Sequence, residues 1–437
     1  MISGCEPLGL QIVHGASSRL TSRCRIEVRR FRRRLGQYDL RVSDHLKSAV
    51  AGMRKWVLLA PLLLLGASLV GCSTGESAGG QADKALDQAI EELVNAPSGP
   101  PGVVVLVQRG STPSVHVGGV ADVGTGREPT ADDSMRIASV SKAFSGGVAL
   151  SLVDRGAMSL NDTVGKRLPD APDQFKPVTL RELLNHTSGI PDFINAKGFS
   201  DALSASLDKA PAPRQLIDYV RAEPLAFAPA SRYEYSNSDN IFVGLMVEAA
   251  TGKSYVDELQ SQVLGPLGLR HTSLPSGTGL PAPLFHGYDV DPPMPPEDVS
   301  NLLAGGWAWA SGGIVSTPRD LNSFIRGYVG SKLFSHNVAQ KQRHFIVAGG
   351  SEPTGPGGNS AGLALFRYET SCGTVYGHTG NTPGYTQFAA ASPDGHRSVT
   401  VAMSLQRTQT SQDAGAGVYA ALQRIWLKAV CAALAAH

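Results

Sequence analysis

Cysteine is scarce in this chain of 437 residues: there are five, and Cys5, Cys24 and Cys72 all fall near the N-terminus. The remaining two, Cys372 and Cys431, form an even pair that suits a disulfide in an oxidising compartment, or else two buried thiols. No grouping of histidine and cysteine has the spacing of zinc ligands, so no metal is implied, and no cofactor is expected. Internal repeats of the solenoid or propeller kind are absent. The Gly/Pro-rich stretches are short and interrupt periodic segments rather than forming a tail. No apolar run reaches the ~20 residues that cross a bilayer; the longest, WVLLAPLLLLGASLV at 56–70, has 15.

That run follows Met53-Arg54-Lys55 and precedes Gly71-Cys72, the order of a basic start, an apolar stretch and a small-residue cleavage point. Leu69-Val70-Gly71-Cys72 resembles the lipobox of bacterial lipoproteins. The resemblance implies a signal peptide over 53–71, lipidation at Cys72 and anchoring on the outer face of the cell membrane. Residues 1–52 hold nine arginines, including RRFRRRLG at 29–36, which alone would suggest a nucleic-acid arm. Ahead of such a leader they are expected to be a non-native upstream extension, with translation starting at Met53. The whole chain carries a formal +2; without residues 1–71 there are 27 basic against 33 acidic side chains, a net of −6. Nothing in that balance recruits nucleic acid.

Residues 72–80 read as a flexible tether reaching on the order of 15 Å. Leu86, Ile90 and Leu93 recur at helical spacing and predict a helix over 81–95. VVVLVQRG (103–110) and SVHVGGVA (114–121) predict two strands. Val140, Phe144, Val148 and Leu152 recur every four residues ahead of Gly156, predicting a helix over 139–155. From 157 to 300 the pattern is mostly helical with long connections, including 239–251 and 255–265. FRYET, TVYGHTG, YTQFAAA and RSVTVAMSL return as strands, the last two joined by SPDG, and 412–435 closes as a helix. The expectation is an α+β fold with one domain over 81–437. Its sheet comes from both chain ends, about 81–156 and 301–437, and a mostly helical region is inserted over 157–300.

Three short motifs carry chemistry. Ser139 and Lys142 stand at i and i+3 on one helix face, where an amine can reach the hydroxyl. A serine needs a base and an oxyanion site to act as a nucleophile, and a desolvated lysine shifts toward the neutral form that accepts a proton. A second Ser-x-x-Lys, Ser206 to Lys209, lies among Ala, Ser and Asp just before Pro211 and lacks that setting. Tyr235-Ser236-Asn237 is the chain's only Tyr-x-Asn; it offers a phenol to shuttle a proton and a carboxamide to grip an amide. His378-Thr379-Gly380 ends a predicted strand where a glycine permits close backbone approach. Gly358-Asn359-Ser360-Ala361-Gly362 matches a nucleophile elbow but lacks the strand-turn-helix setting, so Ser360 reads as a loop serine.

Together and in this order the three motifs resemble the class C β-lactamase and D-alanyl-D-alanine carboxypeptidase superfamily of active-site serine enzymes. The resemblance covers about 85–437 and is closest to secreted DD-carboxypeptidases, because SCGTVYGHTGNTPGY (371–385) has histidine where most β-lactamases have lysine. It implies the β-lactamase/transpeptidase-like fold, Ser139 as nucleophile, and Lys142 with Tyr235 as the proton-transfer pair. Asn237 would hold the substrate amide; His378 and Thr379, with Gly380, would meet a substrate carboxylate. The N–H groups of Ser139 and Asn381 would bind the oxyanion. Trp307 would line the pocket, with Trp309 as its rival, and Arg367 would bind carboxylate. The same resemblance pairs Cys372 with Cys431 and makes LLNHTSGIPDF (183–193) a structural segment. The implied partners are a peptide or other carboxylate-bearing small substrate, and β-lactams as covalent ligands. The implied activity is D-Ala-D-Ala carboxypeptidase; the alternatives are a β-lactamase, an esterase or a non-catalytic muropeptide-binding protein.

Overall fold

Every residue of Gly102–Gln108 (β1) is buried, and successive side chains go to opposite sides, as strand geometry requires. Val103, Val105 and Val107 join Leu86, Ile90, Leu422 and Trp426 in one apolar cluster, while Val104 and Leu106 join Phe144 and Phe324 in another. A strand apolar on both faces marks the middle of a layered structure. The computed structural model describes residues 78–407 and 414–435. The chain separates into Met1–Leu69 and Val70–His437, and all described residues belong to the second unit. The upstream extension, the signal peptide, Cys72 and the tether through residue 77 lie outside the described residues.

The sheet has eight strands. After β1 come Ser114–Gly119 (β2), Ile346–Val347 (β3), Gly358–Ala361 (β4), Phe366–Thr370 (β5), Gly373–Thr382 (β6), Tyr385–Ala391 (β7) and Ser398–Met403 (β8). Their spatial order is β2-β1-β8-β7-β6-β5-β4-β3, all neighbours antiparallel. β1 pairs with β8 from Val103↔Met403 to Gln108↔Ser398, so strands far apart in the chain are neighbours in the sheet. This is the α+β architecture expected, with an antiparallel sheet flanked by helices.

Two terminal helices, Ala78–Val94 (α1) and Ala414–Leu434 (α5), cover one face. There Trp426 stacks on Phe388 with ring centroids 5.2 Å apart. Burying side chains of this size stabilises by about 1.5–3 kcal/mol each. α1 starts within the stretch read as tether, so residues 78–80 are helical. A disulfide joins Cys372, in the β5–β6 turn, to Cys431 of α5, with Cα atoms 5.2 Å apart. On the other face lie Ser141–Asp154 (α2) and Pro318–Val329 (α4), with Phe144 stacked on Phe324. The inserted region consists of short helices around Asn237–Thr251 (α3) and a small ribbon, Tyr288–Asp289 with Glu297–Asp298. α2 and α3 end where expected, at Gly156 and Gly252, both with positive φ. No helix among the described residues is long and apolar enough to cross a membrane.

One local reading fails. Ser360 is not in a loop: Gly358–Ala361 pairs with β5 on one side and, through its last two residues, with β3 on the other. Gly, Asn and Ser have low strand propensity, and here tertiary pairing overrides it. The Ser360 hydroxyl accepts from Arg367 at 3.3 Å and is buried.

Candidate active site

The site begins with a sharp turn. Met135–Arg136 pairs with Val315–Ser316, and the Ile137 N–H donates to the Ile314 carbonyl at 3.1 Å. Ala138 then takes φ +49°, a 3₁₀ turn spans Ala138–Val140, and α2 starts at Ser141. A left-handed non-glycine residue costs about 1–3 kcal/mol, borne here by the strand pairing before the turn and the buried helix after it. The turn leaves Ser139 partly exposed while α2 enters the core. On its other side passes β6. A Cβ on Gly380 would lie 2.4 Å from the Ile137 carbonyl and 3.1 Å from the Ser139 nitrogen, so only glycine lets the strand run against the Ser139 turn.

Lys142, the second residue of α2, is fully buried. Its Nζ lies 3.1 Å from Ser139 Oγ, 2.6 Å from Asn237 Oδ1 and 2.8 Å from the Ser311 carbonyl. Burial lowers its pKa to about 7, while Asp192, Asp239 and Glu352 pull the other way. The neutral amine is therefore well populated near pH 7. Asn237 and Ser311 offer only acceptors, so they take its two N–H groups. The lone pair is left for Ser139, whose hydroxyl can donate into it.

Asn237 is the first residue of α3. Its Nδ2 donates to Asp192 Oδ2 at 2.8 Å, so both ends of the carboxamide are engaged. Tyr235, just upstream, lies under the amine, with Lys142 Nζ 5.0 Å from the ring centroid. Its ring packs 4.5 Å from that of His186, which bonds Asp239 Oδ2 through Nδ1 at 2.8 Å; Ser188 donates to Asp239 Oδ1. Burial disfavours both charges of this pair, pushing His186 down and Asp239 up. Burial also raises the Tyr235 phenol well above 10, so it stays protonated. Its hydroxyl has no hydrogen bond of standard geometry, although it lies near enough to Ser139 for the serine to offset part of that rise.

β5 pairs with β6 only as far as Gly377, so residues 378–382 have a strand neighbour, β7, on one side alone. Asn381 is in that stretch, its Oδ1 accepting from Thr386 at 3.0 Å. His378 is buried, with Nδ1 2.5 Å from the Thr379 carbonyl and Nε2 unpartnered. Burial first and the Lys142 charge second lower its pKa to about 3, so it presents a neutral ring. The Thr379 hydroxyl donates to the Pro353 carbonyl at 2.5 Å. Next to Pro353 stands Glu352, close enough to Lys142, Asp192 and Tyr235 for their charges to interact, and raised in pKa chiefly by desolvation.

The structure thus brings Ser139, Lys142, Tyr235, Asn237, Gly380 and its strand neighbours together. It does not bring Arg367, which pairs with Tyr376. That is four residues from Gly380, about 13 Å along the strand. Arg367 contacts Ser360, Glu369 and the Phe345 ring instead. Trp307 is buried against Phe199 with its indole N–H on the Ser206 carbonyl, and Trp309 packs on Tyr255. Sequence reading missed Asp192, Glu352 and the Ser311 carbonyl. The last belongs to GGWAWASGG, singled out for its tryptophans, and a main-chain acceptor leaves no residue signature.

Residues 86–424 match the beta-lactamase family. The chain belongs to this family. Protein flp of Staphylococcus aureus strain N315 is 25% identical over 313 residues, 70% of this chain and 60% of that protein. The chain therefore spans well under two thirds of that relative's length. Penicillin-binding protein 4* of Bacillus subtilis is 28% identical over 198 residues, 44% of this chain and 42% of its own. Among solved structures, a D-stereospecific amidohydrolase from Streptomyces superposes with TM-score 0.65 at 28% identity, covering 74% of this chain and 94% of the other. D-amino acid amidase from Ochrobactrum anthropi superposes with TM-score 0.69 at 24% identity, covering 80% and 99%. As a member of the beta-lactamase family the chain has the β-lactamase/transpeptidase-like fold.

Proposed function

We propose that the enzyme hydrolyses amide bonds of D-configured acyl donors carrying a free α-ammonium, through an acyl-enzyme on Ser139. The observation that carries the chemistry is the buried Lys142 amine with two acceptors fixed and its third position on Ser139 Oγ. Lys142 takes the hydroxyl proton as Oγ attacks the carbonyl, and the N–H groups of Ser139 and Asn381 receive the oxyanion. On collapse the C–N bond breaks and the leaving amine takes the Tyr235 proton, which Lys142 replaces. Water then attacks the ester, gives its proton back through the same pair and frees the acid.

Two features support the substrate class. The groups whose charges reach Lys142 are acids, Asp192, Asp239 and Glu352, a field that favours a cationic donor. The groups expected to meet a carboxylate are poorly suited to it: His378 is neutral and the Thr379 hydroxyl is taken by Pro353. The likeness to the Streptomyces D-stereospecific amidohydrolase agrees. A second reading, D-Ala-D-Ala carboxypeptidase, is favoured by the passage of His378-Thr379-Gly380 beside Ser139 and by the likeness to penicillin-binding protein 4*. Turnover of D-phenylalanine amide, L-phenylalanine amide, a peptide ending in D-Ala-D-Ala and a cephalosporin, side by side with Ser139→Ala, separates these. Release of ammonia from the D-amide alone supports the first reading, and release of D-alanine with an inert amide replaces it by the second. Lipid anchoring through Cys72 is part of the proposal and is tested by labelling with a radioactive fatty acid in cells.

A further inference from the structure

Asp192 is held in place before it touches the site. Its Oδ1 accepts the Ile194 N–H at 3.2 Å, capping the 3₁₀ turn Phe193–Asn195. Oδ2 accepts Asn237 Nδ2 at 2.8 Å, and the Asn237 main-chain N–H also lowers the carboxyl's pKa against the rise from burial. A carboxylate only accepts, so the Asn237 NH2 must face it and the Asn237 oxygen must face Lys142. With that oxygen 2.6 Å from Nζ and the Ser311 carbonyl at 2.8 Å, the amine has one direction left, toward Ser139.

We infer that Asp192 is the positioning residue for the general base: by fixing the Asn237 carboxamide it aims the Lys142 lone pair at Ser139. This rests on Ser139 being the nucleophile. A neutral side chain at 192 would let the carboxamide reverse and present NH2 to the amine, which then has no acceptor there and turns away from the hydroxyl. The negative charge has a second effect. Together with Asp239 and Glu352 it holds Lys142 up in pKa, opposite the His186, His378 and Tyr235 rings, which are uncharged near neutrality.

The test is the rate at which a fluorophosphonate probe labels Ser139 in the whole protein, followed from about pH 5 to pH 9 in wild type, Asp192→Asn, Asp192→Ser and Asp192→Glu. The probe has no amine, so loss of substrate binding at Asp192 cannot mimic the effect. Serine can still cap the 3₁₀ turn, and thermal melting checks the fold. Expected are labelling at least ~10-fold slower in the Asn and Ser variants, an acid midpoint lower by roughly half a unit to one unit, and a rate restored in large part by Glu. Wild-type labelling and midpoint in the Asn and Ser variants overturn the inference. So does slower labelling with an unmoved midpoint, which is the mark of a merely structural role. Labelling that survives in Ser139→Ala faults the nucleophile itself, and is read in that arm alone.

Discussion

The hydroxyl of Thr379 donates to the carbonyl of Pro353 at 2.5 Å. The bond ties the 351–355 loop to the cleft end of β6 and sets Glu352 at the rim, on the side where a carboxylate-binding threonine was expected to be free. Under the proposed function, this relationship favours a cationic donor over an anionic one.

Glu352→Gln should therefore lower kcat/KM for D-phenylalanine amide by about 2- to 5-fold, the range of a partly solvated ion pair. Hydrolysis of the uncharged ester 4-nitrophenyl acetate serves as the reference. Equal effects on both substrates would remove Glu352 from ammonium recognition.

Activity should follow the neutral fraction of Lys142. With its pKa lowered to about 7, log kcat/KM should rise with slope one up to about pH 7, levelling off above it for the ester and falling again for the amide as its α-ammonium loses a proton. Stopped-flow profiles on amide and ester should share that limb. A rate flat from about pH 5 to pH 8 would show that another group takes the proton.

Tyr235→Phe removes a protonated phenol and nothing else. Amide turnover should fall about 10²- to 10⁴-fold, because an amine leaves only with a proton. Hydrolysis of 4-nitrophenyl acetate should fall far less, since nitrophenolate leaves unaided. Parallel losses would give the tyrosine a role in activating Ser139 instead.

Acid should destabilise the fold through His378. Its folded pKa is about 3 against an ordinary 6.5, so between those values the unfolded chain binds more protons and stability rises with pH. Stability should decline as pH falls from about 6.5 toward 3. Urea unfolding at about pH 5 and pH 7 should show a smaller difference in His378→Asn than in wild type. Buried His186 acts in the same direction, so part of the decline should remain.

Opening the Cys372–Cys431 bond should cost about 2–4 kcal/mol, the range for a loop of 59 residues. Melting of Cys431→Ala, or of reduced protein, should show a lower midpoint. Ester turnover at low temperature should persist, because the bond lies at the opposite end of β6 from Gly380.

The sequence disclosed what depends on local spacing. Ser139 and Lys142 are one helical turn apart, and the β-branched and aromatic runs of β1, β7 and β8 are plain in the residues. It concealed what depends on neighbours far along the chain. Asp192 matters only because α3 delivers Asn237 beside it, and Ser311 acts through a carbonyl that any residue possesses. Arg367 lay near the right motif in number but on a strand whose register carries it about 13 Å away. Trp307 has the bulk to wall a pocket, yet packing against Phe199 and the Ser206 carbonyl uses most of its surface. Gly358–Ala361 is a strand that no propensity announces.

The β1–β8 ladder joins residues about three hundred positions apart, and β1 is among the first strands a ribosome would release. Until Ser398–Met403 emerges, that strand has only β2 beside it in the sheet, and its other edge is unpaired. Closing such a distant pair is slow on entropic grounds. The Ser139 turn, with its left-handed alanine, is braced first by Val315–Ser316 and gains its second wall only when β6 arrives. The sheet that carries Gly380 past Ser139 is therefore closed onto its first strand only once Ser398–Met403 has been made.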